Sequence, residues 1–198
     1  MSNPNYTALL FILDASGSMD GRYPMMEDAL HMMLEQQARK LAGFLTVDVG
    51  YFENYATQGE QDGDPMLIHL NMFANGGTNV YDSTATLLST FEGRLSALPE
   101  DDKPGHVVVI IMTDGDSNSA HTSEGRDVAN TVRRLTADGW DFAFLSADSG
   151  ALERVRGDLG IPKDCGVEED FTEEGVAIMA HKLGEFISGV RSNERGHF

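Results

Sequence analysis

The chain has one cysteine, Cys165, among its 198 residues. An intramolecular disulfide is therefore impossible, which fits a reducing compartment. Nothing near Cys165 in sequence would activate a thiolate, so an inert thiol is expected. Basic residues are also scarce: 14 Lys and Arg face 32 Asp and Glu, for a net charge of −18. That imbalance argues against nucleic acid and against anionic membranes as partners. It serves solubility first, and it would also suit a partner with a basic surface. Long hydrophobic runs are missing, and the longest apolar stretches are strand-length, too short to span a bilayer. The start of the chain, Met1 to Tyr6, shows neither a basic region nor a leader-like apolar core. No secretory signal and a cytoplasmic location are therefore expected.

Several chemical signatures are absent as well. No G-x-G-x-x-G follows the first apolar run and no Walker loop occurs, which removes the dinucleotide and P-loop readings. Ser16 does not sit in a G-x-S-x-G elbow, which argues against a serine hydrolase. The histidines His31, His69, His106, His121, His181 and His197 show no metal-ligand spacing along the chain. His121, just past a strand end, is the one candidate among them, with a surface loop as its default reading. Asp114 to Asn118 has the look of an EF-hand start, but Ser119 and Gly125 stand where that loop needs Gly and Glu.

What is present is an alternation of strands and helices. Tyr6 to Leu13 reads as a buried strand. Pro24 suits the first turn of a helix carrying Met26, Leu30, Met33, Gln37 and Leu41. Leu45 to Phe52 is a second strand. Glu53 to Pro65 is polar and Gly-rich, a loop or hairpin tip, and Met66 to Leu70 is expected as a short antiparallel strand, because the connection is too short for a crossover. A helix from Tyr81 to Leu98 follows. His106 to Thr113 is apolar throughout, as a strand covered on both faces would be. A helix capped by Thr122 or Ser123, a strand over Asp141 to Ala147 and a short helix over Ala151 to Leu159 come next. Cys165 to Phe171 holds a last short strand, and Thr172 caps the final helix. The fold class is α/β: a doubly wound, mostly parallel, six-stranded sheet with helices on both faces. One domain over 1–198 is expected, with its ordered core at about 5–192.

The chemistry concentrates where two of these strands end. Asp14-Ala15-Ser16-Gly17-Ser18 places three oxygen-bearing side chains at alternate positions after the first strand. Thr78 lies on the glycine-rich loop Gly76-Gly77-Thr78-Asn79, and Asp114 follows the apolar strand ending at Thr113. Hard divalent cations take oxygen ligands, and a small ion such as Mg²⁺ keeps some of its waters. Ligands of doubly wound sheets bind beyond the carboxyl ends of the strands, where strand order reverses. The D-x-S-x-S run, the distant Thr and the distant Asp after a strand together resemble the von Willebrand factor A family and its metal-ion-dependent adhesion site, in the small stand-alone form of bacteria and phages.

That resemblance implies a Rossmann-like order in which the first and fourth strands are neighbours, and it covers nearly the whole chain. It implies that Ser16 and Ser18 coordinate Mg²⁺ (or Mn²⁺ or Ca²⁺) directly. Asp14 and Asp114 would act through waters or hydrogen bonds, and Thr78 directly or through water. Neutral hydroxyls leave the ion its Lewis acidity, so a protein partner can contribute Asp or Glu to the open position. Family partners include AAA-type ATPases and stress-system components, and in some members the last helix, here Glu174 to Arg191, shifts on binding. A non-enzymatic interaction module is the reading favoured here. The alternatives are a Mg²⁺-dependent phosphohydrolase and a structural subunit with a stabilising metal. Against the enzyme, no nucleophile-plus-base pair is visible, and Lys103, Arg22 and Arg126 look isolated.

Overall fold

The computed structural model describes residues 2–40, 43–70, 76–115, 123–193 and 197–198. Its strands are β1 (Asn3–Asp14), β2 (Phe44–Phe52), β3 (Ala56–Gln58), β4 (Pro104–Thr113), β5 (Trp140–Ser146) and β6 (Gly166–Glu168). Its helices are α1 (Tyr23–Lys40), α2 (Val80–Ser96), α3 (Ser123–Ala137), α4 (Ser149–Asp158) and α5 (Glu173–Arg191). The six strands form one sheet in the order β3-β2-β1-β4-β5-β6. All neighbours are parallel except β2 and β3. The expected six-stranded doubly wound architecture, with β1 beside β4, is the one observed.

Central strands of a parallel sheet are covered on both sides, so they carry no polar alternation. Leu9 to Leu13 and Val108 to Ile111 are accordingly almost fully buried. The two faces separate along β4, because side chains alternate along a strand. Met112 lies with Met26 and Leu30 of α1 and Met179 and Leu183 of α5. Val107, on the opposite face, lies with Leu95 of α2 and Leu135 of α3. On the first face Gln37 of α1 is buried, and its Nε2 donates to the Gly184 carbonyl (2.8 Å) and to Ser188 Oγ (2.9 Å) of α5. The amide nitrogen thus finds partners across the helix interface, while its Oε1 is buried without one.

Local signals explain the helix ends. Pro24 occupies the first turn of α1. Thr172 Oγ1 accepts from the Gly175 N–H (3.1 Å) and caps α5, with Glu173 and Glu174 in the first turn where the helix dipole favours acid. Gly139 follows α3 at φ 94°, a conformation that glycine adopts without strain. The expected cap at Thr122 lies outside the described residues. Trp140, placed at a helix–strand junction, packs edge-on to Phe91 with ring centroids 5.7 Å apart.

The third strand corrects the reading of the sequence. Met66 to Leu70 is not a strand. The antiparallel partner of β2 is Ala56–Gln58, pairing Phe52 with Ala56 and Gly50 with Gln58. A short turn makes this the cheapest closure, since loop entropy rises with loop length. The chain then stays on the β2 edge, with Val47 N–H donating to the Gly63 carbonyl (3.1 Å) and Gly63 N–H returning to Val47 (2.9 Å). Glycine permits that approach, because a Cβ on Gly63 would lie 3.1 Å from the Val47 carbonyl oxygen. With the edge already paired, Met66 to Leu70 folds over the side instead, burying Ile68 and Leu70 and exposing Met66 and Leu67.

Candidate metal centre

Asp14 is the last residue of β1 and is fully buried. Its Oδ1 accepts from the Ser16 N–H (2.8 Å), which folds the chain into a tight turn. Its Oδ2 accepts from Thr113 Oγ1 (2.5 Å), at the end of the neighbouring strand β4. Its backbone carbonyl accepts from the Tyr23 hydroxyl (2.8 Å) at the start of α1. The parallel register, with Leu13 opposite Met112, brings Asp14 and Thr113 level, so strand pairing creates this contact. Burial pushes the Asp14 carboxyl up from its ordinary value; hydrogen bonds from Thr113 and Ser16 oppose that shift, and the Asp114 charge adds to it. Burial also raises the Tyr23 phenol, with Asp14 and Asp114 adding to it.

From Asp14 the oxygens continue outward. The buried Ser16 Oγ lies 3.0 Å from Ser18 Oγ. Ser18 Oγ donates to Asp114 Oδ1 (2.9 Å), across 96 residues of sequence. Arg22 Nη1 donates to Asp114 Oδ2 (2.7 Å), and the Arg22 guanidinium lies over the Phe171 ring, 5.6 Å from its centroid. Four of the five proposed ligands, Asp14, Ser16, Ser18 and Asp114, therefore form one hydrogen-bonded line at the β1–β4 switch point.

Thr78 reaches the same end of the sheet through the backbone. The Gly17 N–H donates to the Gly76 carbonyl (3.5 Å), and the Asn79 N–H donates to the Glu53 carbonyl at the end of β2 (2.6 Å). The Gly77 N–H donates to Asn54 Oδ1 (3.0 Å). Gly76 is at φ 71°, and a Cβ there would fall 2.4 Å from Asn54 Nδ2, so only glycine allows this fit. Thr78 is buried, directly before the N-cap of α2.

Several residues enter the site without a clear sequence signal. Thr113 was visible only as a strand end, and Tyr23 not at all. Arg22 is not isolated, contrary to expectation, because the turn at Gly17–Met19 folds it back onto Asp114. Lys103 precedes β4 at the far end of the sheet and pairs with Glu100 instead. Asp116, His121 and the side chain of Arg126 lie outside the described residues. Met19 is fully buried and the partly buried Met25 packs against the core. A second correction concerns the histidines. His31 and His69 meet each other and Glu27 beside α1, although nothing in their linear spacing joins them.

Cys165 is buried, and burial pushes its thiol up to about 11, with Asp164 and Asp141 adding to it. At pH 8 its thiolate fraction is then about 100-fold below that of a free cysteine at 9.0, and labelling by a disulfide reagent should be slower by about that factor until the chain is unfolded. Because the folded value is raised, the native state keeps its proton where the unfolded chain loses it. Stability should therefore fall as pH rises from 9.0 to about 11.

No family model and no curated protein sequence matches the chain. Solved structures do. Proximal thread matrix protein 1 from the mussel byssus, in a structure with a zinc-occupied MIDAS motif, superposes with a TM-score of 0.68 at 16% identity, over 93% of this chain and 46% of that one. The vWF domain of the type V pili tip protein Mfa5 from Porphyromonas gingivalis gives 0.66 at 9% identity, over 97% of each chain. The ArnB paralog VWA2 from Sulfolobus acidocaldarius gives 0.58 at 13% identity, over 90% of this chain and 44% of that one. The chain thus spans about half the length of the byssus protein (46%). At these identities the likeness is one of fold: the chain has the α/β, Rossmann-like fold of von Willebrand factor A-type domains.

Proposed function

We propose that this chain is a protein-docking module that works inside the cell as one domain, with a complete metal-ion-dependent adhesion site formed by Asp14, Ser16, Ser18, Thr78 and Asp114. The observation that supports this most is the oxygen line Ser16–Ser18–Asp114, with hydroxyls 3.0 Å apart and Ser18 2.9 Å from the carboxylate. The donor set holds no sulfur and no imidazole, so it fits a hard cation, Mg²⁺ first and Mn²⁺ or Ca²⁺ next. Ser16, Ser18 and Thr78 would hold the ion, and Asp14 and Asp114 would orient the hydroxyls or bound waters. The ion's chemistry there is a Lewis-acidic position for an Asp or Glu of the partner. A comparison structure with a zinc-occupied MIDAS motif supports a divalent cation at a site of this kind.

The chain's own residues prepare that contact. Thr113 and the Ser16 N–H hold Asp14 in place, so the turn keeps its shape. Arg22 links the rim to Phe171, next to the N-cap of α5. This puts the residue just before the cap of the last helix against the site, a route by which a helix shift such as some members of the family show could be coupled to it. A phosphohydrolase is disfavoured: the carboxylate that faces Ser18, Asp114, is already neutralised by Arg22, and that pairing also takes up the one cation at the site that could hold a phosphate among the described residues.

The net charge of −18 opposes an acidic ligand at long range, but screening sets in at about 8 Å at physiological salt, so the contact itself can form. The partner is expected to be basic around one exposed Asp or Glu. The test is capture from source-cell lysate on the immobilised chain, with Mg²⁺ and with EDTA, beside Asp14→Ala. A protein retained only by wild type with Mg²⁺ supports docking. Retention that ignores both the metal and the substitution, with the proteins folded, refutes it.

A further inference from the structure

We propose a second cation site, of zinc type, built by Glu27, His31 and His69 and independent of the oxygen cluster. Glu27 and His31 lie four residues apart on α1, which puts them on one helix face one turn apart. His69 comes from the segment that folds over the side of the sheet once β3 has taken the β2 edge. Its Nδ1 lies 3.0 Å from Glu27 Oε1, and its ring stands edge-on to that of His31 with centroids 5.9 Å apart. One ligand atom from each of the three residues lies within 4.8 Å of the others.

Donor type and spacing both point to a borderline transition metal. Two imidazoles and a carboxylate suit Zn²⁺, which takes bonds of about 2.0–2.2 Å to nitrogen and oxygen. In a tetrahedron those bonds set ligands about 3.4 Å apart, so the cluster reaches coordination distance through side-chain rotation of about an ångström. His31 Nε2 also bonds the Ile68 carbonyl, which ties the segment carrying His69 to α1. Metal-binding histidines are commonly held in orientation by such a backbone carbonyl.

His69 is 72% exposed and Glu27 24% exposed, so ions have an open path to the cluster. Three protein ligands leave a fourth position for water or an exogenous ligand. A metal here would pin the 64–70 segment to α1, on the way to the loop bearing Thr78. The two clusters differ in hardness: Mg²⁺ favours the oxygen cluster, whereas Zn²⁺ or Co²⁺ favours this one but can also enter a site of the first kind, so the first must be disabled in the test.

The test uses the full chain carrying Asp14→Ala, which disables the first site. After treatment with EDTA and dialysis, it is titrated with Zn²⁺ by calorimetry and with Co²⁺ by visible absorption. One equivalent should bind, with Co²⁺ bands of nitrogen ligation. His69→Gln and His31→Ala should each weaken binding on the order of 100-fold. In the wild-type background, His69→Gln should leave any Mg²⁺-induced stabilisation unchanged, which separates this site from the docking reading. Zinc binding that persists in both histidine variants, or no binding at micromolar zinc, would overturn the proposal.

Discussion

Removing the Asp14 carboxylate should abolish the response of this chain to Mg²⁺. If the oxygen cluster holds the ion in the native state alone, Mg²⁺ at one hundred times its dissociation constant adds about 2.7 kcal/mol of stability. For a chain of this size that is a rise in Tm of about 5–10 °C. Asp14→Ala should show none of it. The substitution also strips partners from the Thr113 hydroxyl and the Ser16 N–H, so lost folding needs a control. Asp14→Asn keeps the side-chain shape and one carbonyl oxygen, and it should fold yet still fail to respond. Differential scanning calorimetry across a Mg²⁺ series checks both. An unchanged Tm for wild type, or an equal rise in Asp14→Asn, would remove the cation from the account. Because burial raises the Asp14 carboxyl, its ionised form is a cost to the native fold, and a cation over the site would relieve that cost.

The largest loss of stability from a single substitution away from that site is expected at Arg94. Asp48 sits on β2 with its side chain 3% exposed, facing α2. Arg94 pairs with Asp48 and Asp62 together, and its guanidinium lies 5.4 Å from the Phe91 ring centroid. Asp48 Oδ1 also accepts from the Asp62 N–H (3.0 Å). Breaking a buried pair by removing one partner costs about 3–5 kcal/mol, because it strands the other charge. Arg94→Ala should therefore lower Tm by about 6–20 °C. Asp48→Asn in that background should recover part of the loss, since it removes the stranded charge.

The pH dependence of that variant follows from the same carboxyl. Burial raises Asp48 above its ordinary 3.8, while the Asp62 N–H and Arg94 pull it down. Loss of Arg94 raises it further. A raised acid holds its proton longer in the native state than in the unfolded chain, so stability falls as pH climbs above 3.8. The deficit of Arg94→Ala should thus be widest near neutrality and narrow in acid. Urea titrations at several pH values measure it, and a deficit independent of pH would mean that lost packing, rather than stranded charge, dominates.

The linear order of residues was enough for most of the architecture. Uninterrupted apolar runs at 6–13 and 106–113 could only be strands covered on both faces, and helical spacing after each implied crossovers. A right-handed parallel sheet built from such units has few possible orders. The resemblance of the motif to the von Willebrand factor A family implied neighbouring first and fourth strands, and with them a crevice shared by Asp14 and Asp114; β1 does pair with β4. The third strand was not. Met66 to Leu70 looks like a strand because it is apolar, whereas Ala56–Gln58 looks like a loop. The choice between them depends on which segment reaches the free edge of β2 first, and a short hairpin does so at less entropic cost.

What the sequence determined by itself, then, is the fold class, which follows from periodicity, while the proposed oxygen donors were read from the resemblance of their motif. Tertiary structure alone decided which other side chains stand among them. Arg22 meets Asp114 only because the turn at 17–19 reverses the chain, and Thr113 meets Asp14 only through the register of β1 with β4. His69 meets Glu27 and His31 only because β3 displaces the next segment onto the side of the sheet. Contacts between distant residues depend on how elements pack and on which hydrogen-bonding edges are already filled, and local spacing does not encode either.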